Sequence, residues 1–412
     1  MNKKIFLVGL CFMLAAFNIY AEEQTIELGE IVITPSRGEA EINQLPANVT
    51  IIGKPDIEKS NAKTIPELLG TIGAVIMRDY IGNGKTTNAD IRGFGETGLS
   101  NVLVLVDGRR VNNIDLSGTD WTQLPISMVE RIDILRGASS VLYGDNASGG
   151  VINIITKMPS KKAEFKTEVL FGSYGTYGER GEFSASKGGL SLQASFDQYR
   201  TDGYRINSDL IRNDINGKLA YSLNDDIKAR ITFGIHDDKY GLPGALLDNQ
   251  INERGRRASV TPDDYANSRD YFIEFGLEGN LDELGRFELN LSRRKRDTIA
   301  DFVSSSWISE RDTISYAVSP KYSLDKDVFG YKNNLTEGLE YFDAEQDIDD
   351  GGYSGNPDKP TISKKSYGLY LVDQVYLTSD FSLTGGYRRE NAHYNFEQER
   401  TISRSEANNF KE

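Results

Sequence analysis

Four stretches of this sequence hold residue types at spacings that could do chemistry. "LRGASSVLYGDNASGGVINIITK" (Leu135–Lys157) is rich in glycine and serine, the composition of loops that cradle phosphate or present a nucleophile. It has no G-x-S-x-G elbow and no G-x-x-x-x-G-K-[ST], and no histidine precedes His236 to serve as base, so Ser139, Ser140 and Ser148 read as caps and turn residues. "GFGETG" puts Gly93, Gly95 and Gly98 at dinucleotide-loop spacing. That chemistry needs a helix after the loop, and "LSNVLVLVDG" follows as a strand, so a turn between strands is expected. "DAEQDIDDGGY" (Asp343–Tyr353) is dense enough in carboxylate for calcium but lacks EF-hand order and its terminal glutamate. A solvated loop is expected there, with a calcium-ordered loop as the alternative. "GEIVITPSR" (Gly29–Arg37) is a short β-prone run stopped by Pro35, suited to add a strand to a partner's sheet edge or to begin the first domain.

The elements that must position these residues follow two grammars. Of the 412 residues, Met1–Ala21 reads as a secretory signal: Lys3 and Lys4 precede an apolar core from Ile5 to Phe17. Cys11, the one cysteine, leaves with it, so thiol and disulfide chemistry are excluded from the mature chain. A net charge of −14 disfavours nucleic acid, and two histidines, His236 and His393, disfavour a multi-histidine metal site. From Glu22 to about Lys157 the pattern is a turn-rich α/β domain. "TIPELLG" offers Thr64 as helix N-cap with Glu67 three residues on, and Asp107-Gly108 reads as a hairpin turn after the apolar run Val102–Val106.

After Lys157 the period becomes two. Ile227, Ala229, Ile231, Phe233 and Ile235 share one face, opposed by Lys228, Arg230, Thr232, Gly234 and His236. Ten or eleven such segments lie between Lys162 and Arg389, with tyrosines near their ends (Tyr174, Tyr177, Tyr199, Tyr221, Tyr376) and short turns alternating with long polar loops. A membrane β-barrel needs this pattern, lipid taking one face and a wet lumen the other. A soluble sandwich with one solvated face is the alternative.

"EIVITPSR", "ADIRGFG…NVLVLVDGRRVN" and "VERIDILRGASSVLYGDNASGGVINIITK" together resemble the TonB-dependent outer-membrane receptors, from about residue 29 to 157. The resemblance implies a transmembrane antiparallel β-barrel filled by an N-terminal α/β plug. The parts would be a signal (1–21), a periplasmic arm with the TonB box (22–38), a plug (39–158) and about half a barrel (159–412), the ten or eleven strands falling short of an expected 22. It also implies a receptor of a Gram-negative outer membrane, not an enzyme, that needs no cofactor of its own. Such a receptor imports a scarce iron chelate (siderophore) or a cobalamin-like ligand, driven by a TonB-type periplasmic partner. Haem is disfavoured by the two histidines. Glu30, Ile31, Val32, Ile33, Thr34 and Pro35 would bind that partner. The apical loops Asp79–Thr87 and Asn112–Asp120 would offer Tyr80, Asn83, Lys85, Asn113 and Asp115 to the ligand. Arg92 and Arg136 sit where plug arginines of the family pair with barrel glutamates. A half-barrel leaves two unpaired edges in lipid, so the chain alone is not expected to form a working pore. A non-transporting remnant of a truncated or split gene is the alternative reading.

Overall fold

In a computed structural model of the chain, the structure describes residues 48–85, 87–115, 117–137, 143–353, 358–378 and 381–399. The signal, the TonB box with Glu30 to Pro35, and Ser139 and Ser140 lie outside the described residues.

The N-terminal unit is built on a five-stranded sheet. β1 (Asn48–Ile52), β4 (Val102–Val106), β5 (Arg109–Arg110), β6 (Val129–Arg136) and β7 (Gly150–Thr156) lie in the order β1-β6-β7-β4-β5. The β4–β7 pair is parallel and the others antiparallel. β2 (Ile76–Asp79) and β3 (Thr87–Asp90) form a separate hairpin. Strand alternation divides the side chains between two cores. Val102, Val104, Val106, Ile132, Ile134, Ile152 and Ile154 pack on one face with Leu68 and Leu69, while Leu103, Leu105, Leu135 and Val151 pack on the other. Leu68 and Leu69 come from α2 (Ile65–Thr71), which follows the short helix α1 (Lys54–Lys59). Thr64 caps α2 by accepting from Glu67 N, and the Glu67 carboxylate reaches back to the amide of Lys63, one residue before the cap. Asp107 and Gly108 turn β4 into β5 with φ of 49° and 88°, the mirror-image turn that suits a two-residue hairpin.

The second unit is one antiparallel sheet of eleven strands in sequence order. They are β8 (Glu164–Phe171), β9 (Tyr177–Lys187), β10 (Leu190–Thr201), β11 (Leu210–Ser222), β12 (Ile227–Gly241), β13 (Tyr265–Asn280), β14 (Arg286–Phe302), β15 (Trp307–Val328), β16 (Tyr331–Gly352), β17 (Lys359–Tyr376) and β18 (Ser382–Glu399). Among the described residues β8 and β18 each pair on one side only. The period-two reading holds in three dimensions. Ile231, Phe233, Ile235, Ile273 and Phe275 are exposed on the outer face, while Thr232, His236, Asp238 and Glu274 are buried on the inner one. Register places Ile231 beside Phe275, and Phe275 beside Leu291, so the outer face is a continuous apolar belt. No described helix is long and apolar enough to cross a membrane, and strands of this pattern need none.

Three local expectations are corrected. The acidic run is not a loop: β16 continues through it to Gly352, and Asp343 and Asp349 face Lys365 and Lys359 across the ladder. Cross-strand lysines supply the countercharge that a calcium ion was invoked to provide. Tyr199 is no girdle residue: it packs inward beside Leu210 and Tyr240, under the Arg212 guanidinium. A one-turn helix, α3 (Gly98–Asn101), intervenes between "GFGET" and β4.

Candidate functional site

The "GFG" turn shows why no nucleotide belongs there. Asp90, at the end of β3, accepts from Phe94 N at 2.7 Å and Gly95 N at 2.9 Å, and pairs with Arg78 at 3.1 Å. The plug's own carboxylate holds the amides that a phosphate would need. Burial works against its charge, but the Gly95 and Phe94 amides and Arg78 keep the pKa below the usual carboxylate value.

Above that turn lie the two apical loops. Asp79 shapes the first by accepting from the amides of Ile81, Gly82 and Gly84. Asn112 ties the second to β4, bonding Val104 N at 2.7 Å and Val102 O at 3.0 Å. Of the five proposed ligand contacts, Tyr80 is 49% exposed. The side-chain nitrogen of Asn83 is buried with no hydrogen-bond partner. The other three are engaged with the barrel wall. Asn113 accepts from Arg296 at 3.4 Å, Asp115 pairs with Arg311 at 3.3 Å, and Lys85, 2% exposed, is buried between two aspartates.

Lys85 is the centre of the seam between plug and wall. Its ammonium lies 2.6 Å from Asp120 in the plug and also salt-bridges Asp238 on β12. Burial alone would push the Lys85 pKa down, but the two carboxylates outweigh it and hold it above the ordinary lysine value. Burial likewise opposes the charge of Asp120, which Lys85 and Arg296 hold well below the usual carboxylate range. From here an alternating chain of charge runs across the inner wall. Arg296 meets Asp120 at 3.0 Å; His236 bridges Asp238 (2.8 Å) and Asp214 (2.6 Å). Arg212 then joins Asp214 (3.5 Å) to Asp197 (2.9 Å), and Arg180 joins Asp197 to Glu168. Asp120, His236 and Asp238 group their ligand atoms as a metal site would, but the Lys85 ammonium already sits between the two carboxylates. An ion would have to displace it.

Two further pins join plug and wall. Lys218 on β11 bonds Asp107 at 3.2 Å and Thr156 Oγ1 at 2.6 Å. Lys364 on β17 and Tyr394 on β18 both hold Asp145, which Arg110 also meets at 2.7 Å. Next to Asp145 the backbone of Gly144, at φ 77°, comes so close to the wall that an added Cβ would lie 2.5 Å from Glu390 Oε2. Gly144 of that glycine-rich stretch therefore serves a tight turn against the lumen wall, while Gly137, Gly149 and Gly150 pack closely within the plug.

Among the described residues the pairs between plug and wall rest on side chains other than Arg92 and Arg136. Arg92 is exposed, and Arg136 donates to Thr50 Oγ1 at 2.5 Å and to Gly73 O, both within the plug. The described bridges join plug aspartates (Asp107, Asp115, Asp120, Asp145) to wall cations, and in the reverse sense Lys85 to Asp238 and Lys157 to Glu182. Two local needs explain this: Arg136 satisfies carbonyl and hydroxyl oxygens inside its own domain, and the wall cations need carboxylates once the plug buries them. Asp107, Asp120 and Asp145 were missed because loop aspartates look solvated in sequence. The available signal was the lumen-face cations Lys218, Arg296 and Lys364, which need buried partners.

A charged plug seated inside a sheet with an apolar outer face defines a plug-and-barrel membrane receptor fold. Residues 41–151 match the family model "TonB-dependent Receptor Plug Domain" and residues 159–411 match "TonB dependent receptor-like, beta-barrel". The chain belongs to the TonB-dependent receptor family. Over 173 residues it is 35% identical to the vitamin B12 transporter BtuB of Vibrio cholerae, a match covering 42% of this chain and 28% of that protein. With BtuB of Vibrio vulnificus it shares 28% over 212 residues, 50% of this chain and 34% of the relative. The fold is similar to the unliganded ferric citrate transporter FecA, with TM-score 0.76 and 19% identity, over 87% of this chain and 58% of that one. It is similar too to the outer-membrane ferripyoverdine receptor of Pseudomonas aeruginosa, with TM-score 0.74 and 15% identity, over 91% and 56% of the two chains. The aligned part is thus about a third of the curated relatives' length and under two thirds of these structural neighbours.

Proposed function

We propose that the receptor to which this chain contributes plug and wall imports a siderophore-type iron chelate or a cobalamin-like ligand across a Gram-negative outer membrane. It makes and breaks no covalent bond. The ligand binds at the apex, with Tyr80 and Asn83 as contacts, while Lys85, Asn113 and Asp115 hold the apical loops to the wall. A TonB-type periplasmic partner adds to Glu30–Pro35 as a β-strand and pulls. The observation that carries this reading is the seam itself. Plug and wall meet through Lys85–Asp238, Lys218–Asp107 and Lys364–Asp145, an interface of charge. Desolvated pairs of this kind fix register at little net stabilisation, so water can replace them when the plug is pulled. The names of the relatives support the cargo class.

The test is uptake against surface binding in cells making the receptor, with labelled cobalamin, ferric citrate and ferripyoverdine as probes. Val32→Pro prevents strand addition. The expected result is loss of uptake with binding retained. Uptake that survives this change overturns the box assignment. Binding of none of the three probes removes the cargo class.

A further inference from the structure

The short turns at the rim where the plug leads into β8 carry an unexplained feature. Five join strand pairs here: Gly188–Gly189, 223–226, 281–285, Phe329–Gly330 and 377–381. Four of them present a large apolar side chain to solvent: Leu223 (57% exposed), Leu284 (69%), Phe329 (98%) and Phe381 (58%). Phe329 is also strained. Val328 pairs with Tyr331 across a two-residue turn whose central φ values are 54° and 85°. That mirror-image turn favours Asn-Gly, and a bulky aromatic at positive φ is an outlier. Neither core packing nor turn propensity accounts for a phenylalanine at this position. Strain kept at a fully exposed position points to function outside the fold.

We propose that Phe329, with Leu223, Leu284 and Phe381, inserts into the interfacial layer of the phospholipid leaflet at the short-turn rim and sets the depth of the barrel. Short turns mark the periplasmic side of such barrels, and apolar or aromatic residues favour the headgroup boundary. Two arrangements on the wall favour lipid over a protein partner. The tips come from four separate turns spread along one rim, which only a surface surrounding the barrel meets at once. The outer apolar belt also continues over the edge beside them. Leu219 and Tyr221 lead into Leu223, Leu277 into Leu281 and Leu284, and Leu383 follows Phe381, all exposed or outward in register. Under β15 and β16 the outward pair Lys326 and Asn333 interrupts the belt, and here the tip residue is the aromatic one. The long Lys326 stem allows its amine to reach headgroups while its methylenes stay in the apolar layer.

This inference rests on the membrane reading above, and the experiment separates the two. Cys11 is the sole cysteine of these 412 residues and lies in the segment read as a signal, so cysteines are placed one at a time in a receptor background freed of any other. Phe329→Cys, Phe233→Cys (belt) and Glu253→Cys (long-loop helix) take a nitroxide label in phospholipid vesicles, and collisions with oxygen and with a water-soluble nickel chelate are compared. The expected result is a label at 329 several-fold more shielded from nickel than that at 253, and shallower than that at 233. Nickel access at 329 equal to that at 253, with 233 shielded, overturns the anchor alone. Nickel access at 233 overturns the barrel reading, and the anchor with it. Phe329→Trp, which keeps an aromatic ring, is expected to add emission quenched by lipids brominated near the headgroup; emission quenched only by aqueous iodide counts against the anchor.

Discussion

Lys85 and Asp238 form a buried salt bridge between plug and barrel wall, and Asp120 lies 2.6 Å from the same ammonium. One cation thus serves two carboxylates, with Arg296 and His236 completing the balance. Removing the lysine leaves Asp120 with Arg296 and Asp238 with His236, two buried carboxylates that have each lost a close cation. Lys85→Met is expected to weaken plug seating by about 3–5 kcal/mol, read as a shift in the denaturant midpoint for plug release. Ligand affinity at the apex is expected to change only through that seating. A fall in affinity with an unmoved midpoint would restore Lys85 as a direct ligand contact.

The pH dependence of seating follows from the same groups. The Lys85 pKa is raised in the fold, so its contribution is complete below the ordinary lysine value of 10.5 and is lost as pH rises through the folded value. Burial opposes the charge on Asp120 and Asp145, but Lys85 and Arg296 for the first, and Arg110 and Lys364 for the second, lower their pKa. Their contribution is present above the ordinary value of 3.8 and is lost as pH falls through the folded one. These three groups add no slope to the release midpoint between about pH 5 and about pH 10, so a slope in that window belongs to His236, held between Asp214 and Asp238. A titration in which His236→Gln leaves such a slope in place counts against this account.

Gly144 and Gly84 separate strain from collision. Both have positive φ, 77° and 82°, but a Cβ at 84 meets nothing within 4 Å, whereas at 144 it meets Glu390 and Arg388. Gly84→Ala is expected to cost about 1 kcal/mol, and Gly144→Ala up to about 1 kcal/mol more, because the ends of the Glu390 and Arg388 side chains must shift from their ion pair. Thermal melts of the two variants, side by side, give the difference.

Asp90 holds the turn between β3 and α3. Asp90→Ala frees the amides of Phe94 and Gly95 and is expected to cost about 2 kcal/mol, with faster hydrogen exchange at those two positions. Unchanged exchange there would show that the turn stands without its carboxylate.

The outer face of β13 and the turn after β14 predict opposite tolerance. Ile273→Arg on the outer face is expected to cost about 2–4 kcal/mol at bilayer depth and to lower the yield of membrane-inserted protein. Val303→Arg, on the exposed turn between β14 and β15, is expected to insert normally. Equal yields for the two would argue against a lipid-facing belt.

Much of the architecture was legible because it depends on short-range periodicity. Apolar side chains on alternate positions of β12 and β13 had to share a face, whatever the partner strand. Asp107-Gly108 and Thr64 with Glu67 act within a few residues, so hairpin and cap could be placed without tertiary information. The eleven strands agree with the count of ten or eleven read from the pattern. The acidic run misled because Asp343–Gly352 is largely polar on both faces, and pairing with β15 throughout and with β17 as far as Asp347, rather than propensity, makes it a strand.

The site itself was decided by tertiary structure. By itself the sequence determined two grammars, a plug-like pattern followed by alternating strands, because helices, turns and strand faces follow from neighbours in the chain. Which charges meet was settled only by folding. Lys85 and Asp238 are far apart in sequence, as are Asp145 and Lys364, and neither spacing nor residue type distinguishes a solvated aspartate from one that a wall lysine will bury. The plug must be seated in the lumen before desolvation forces each charge to find a partner.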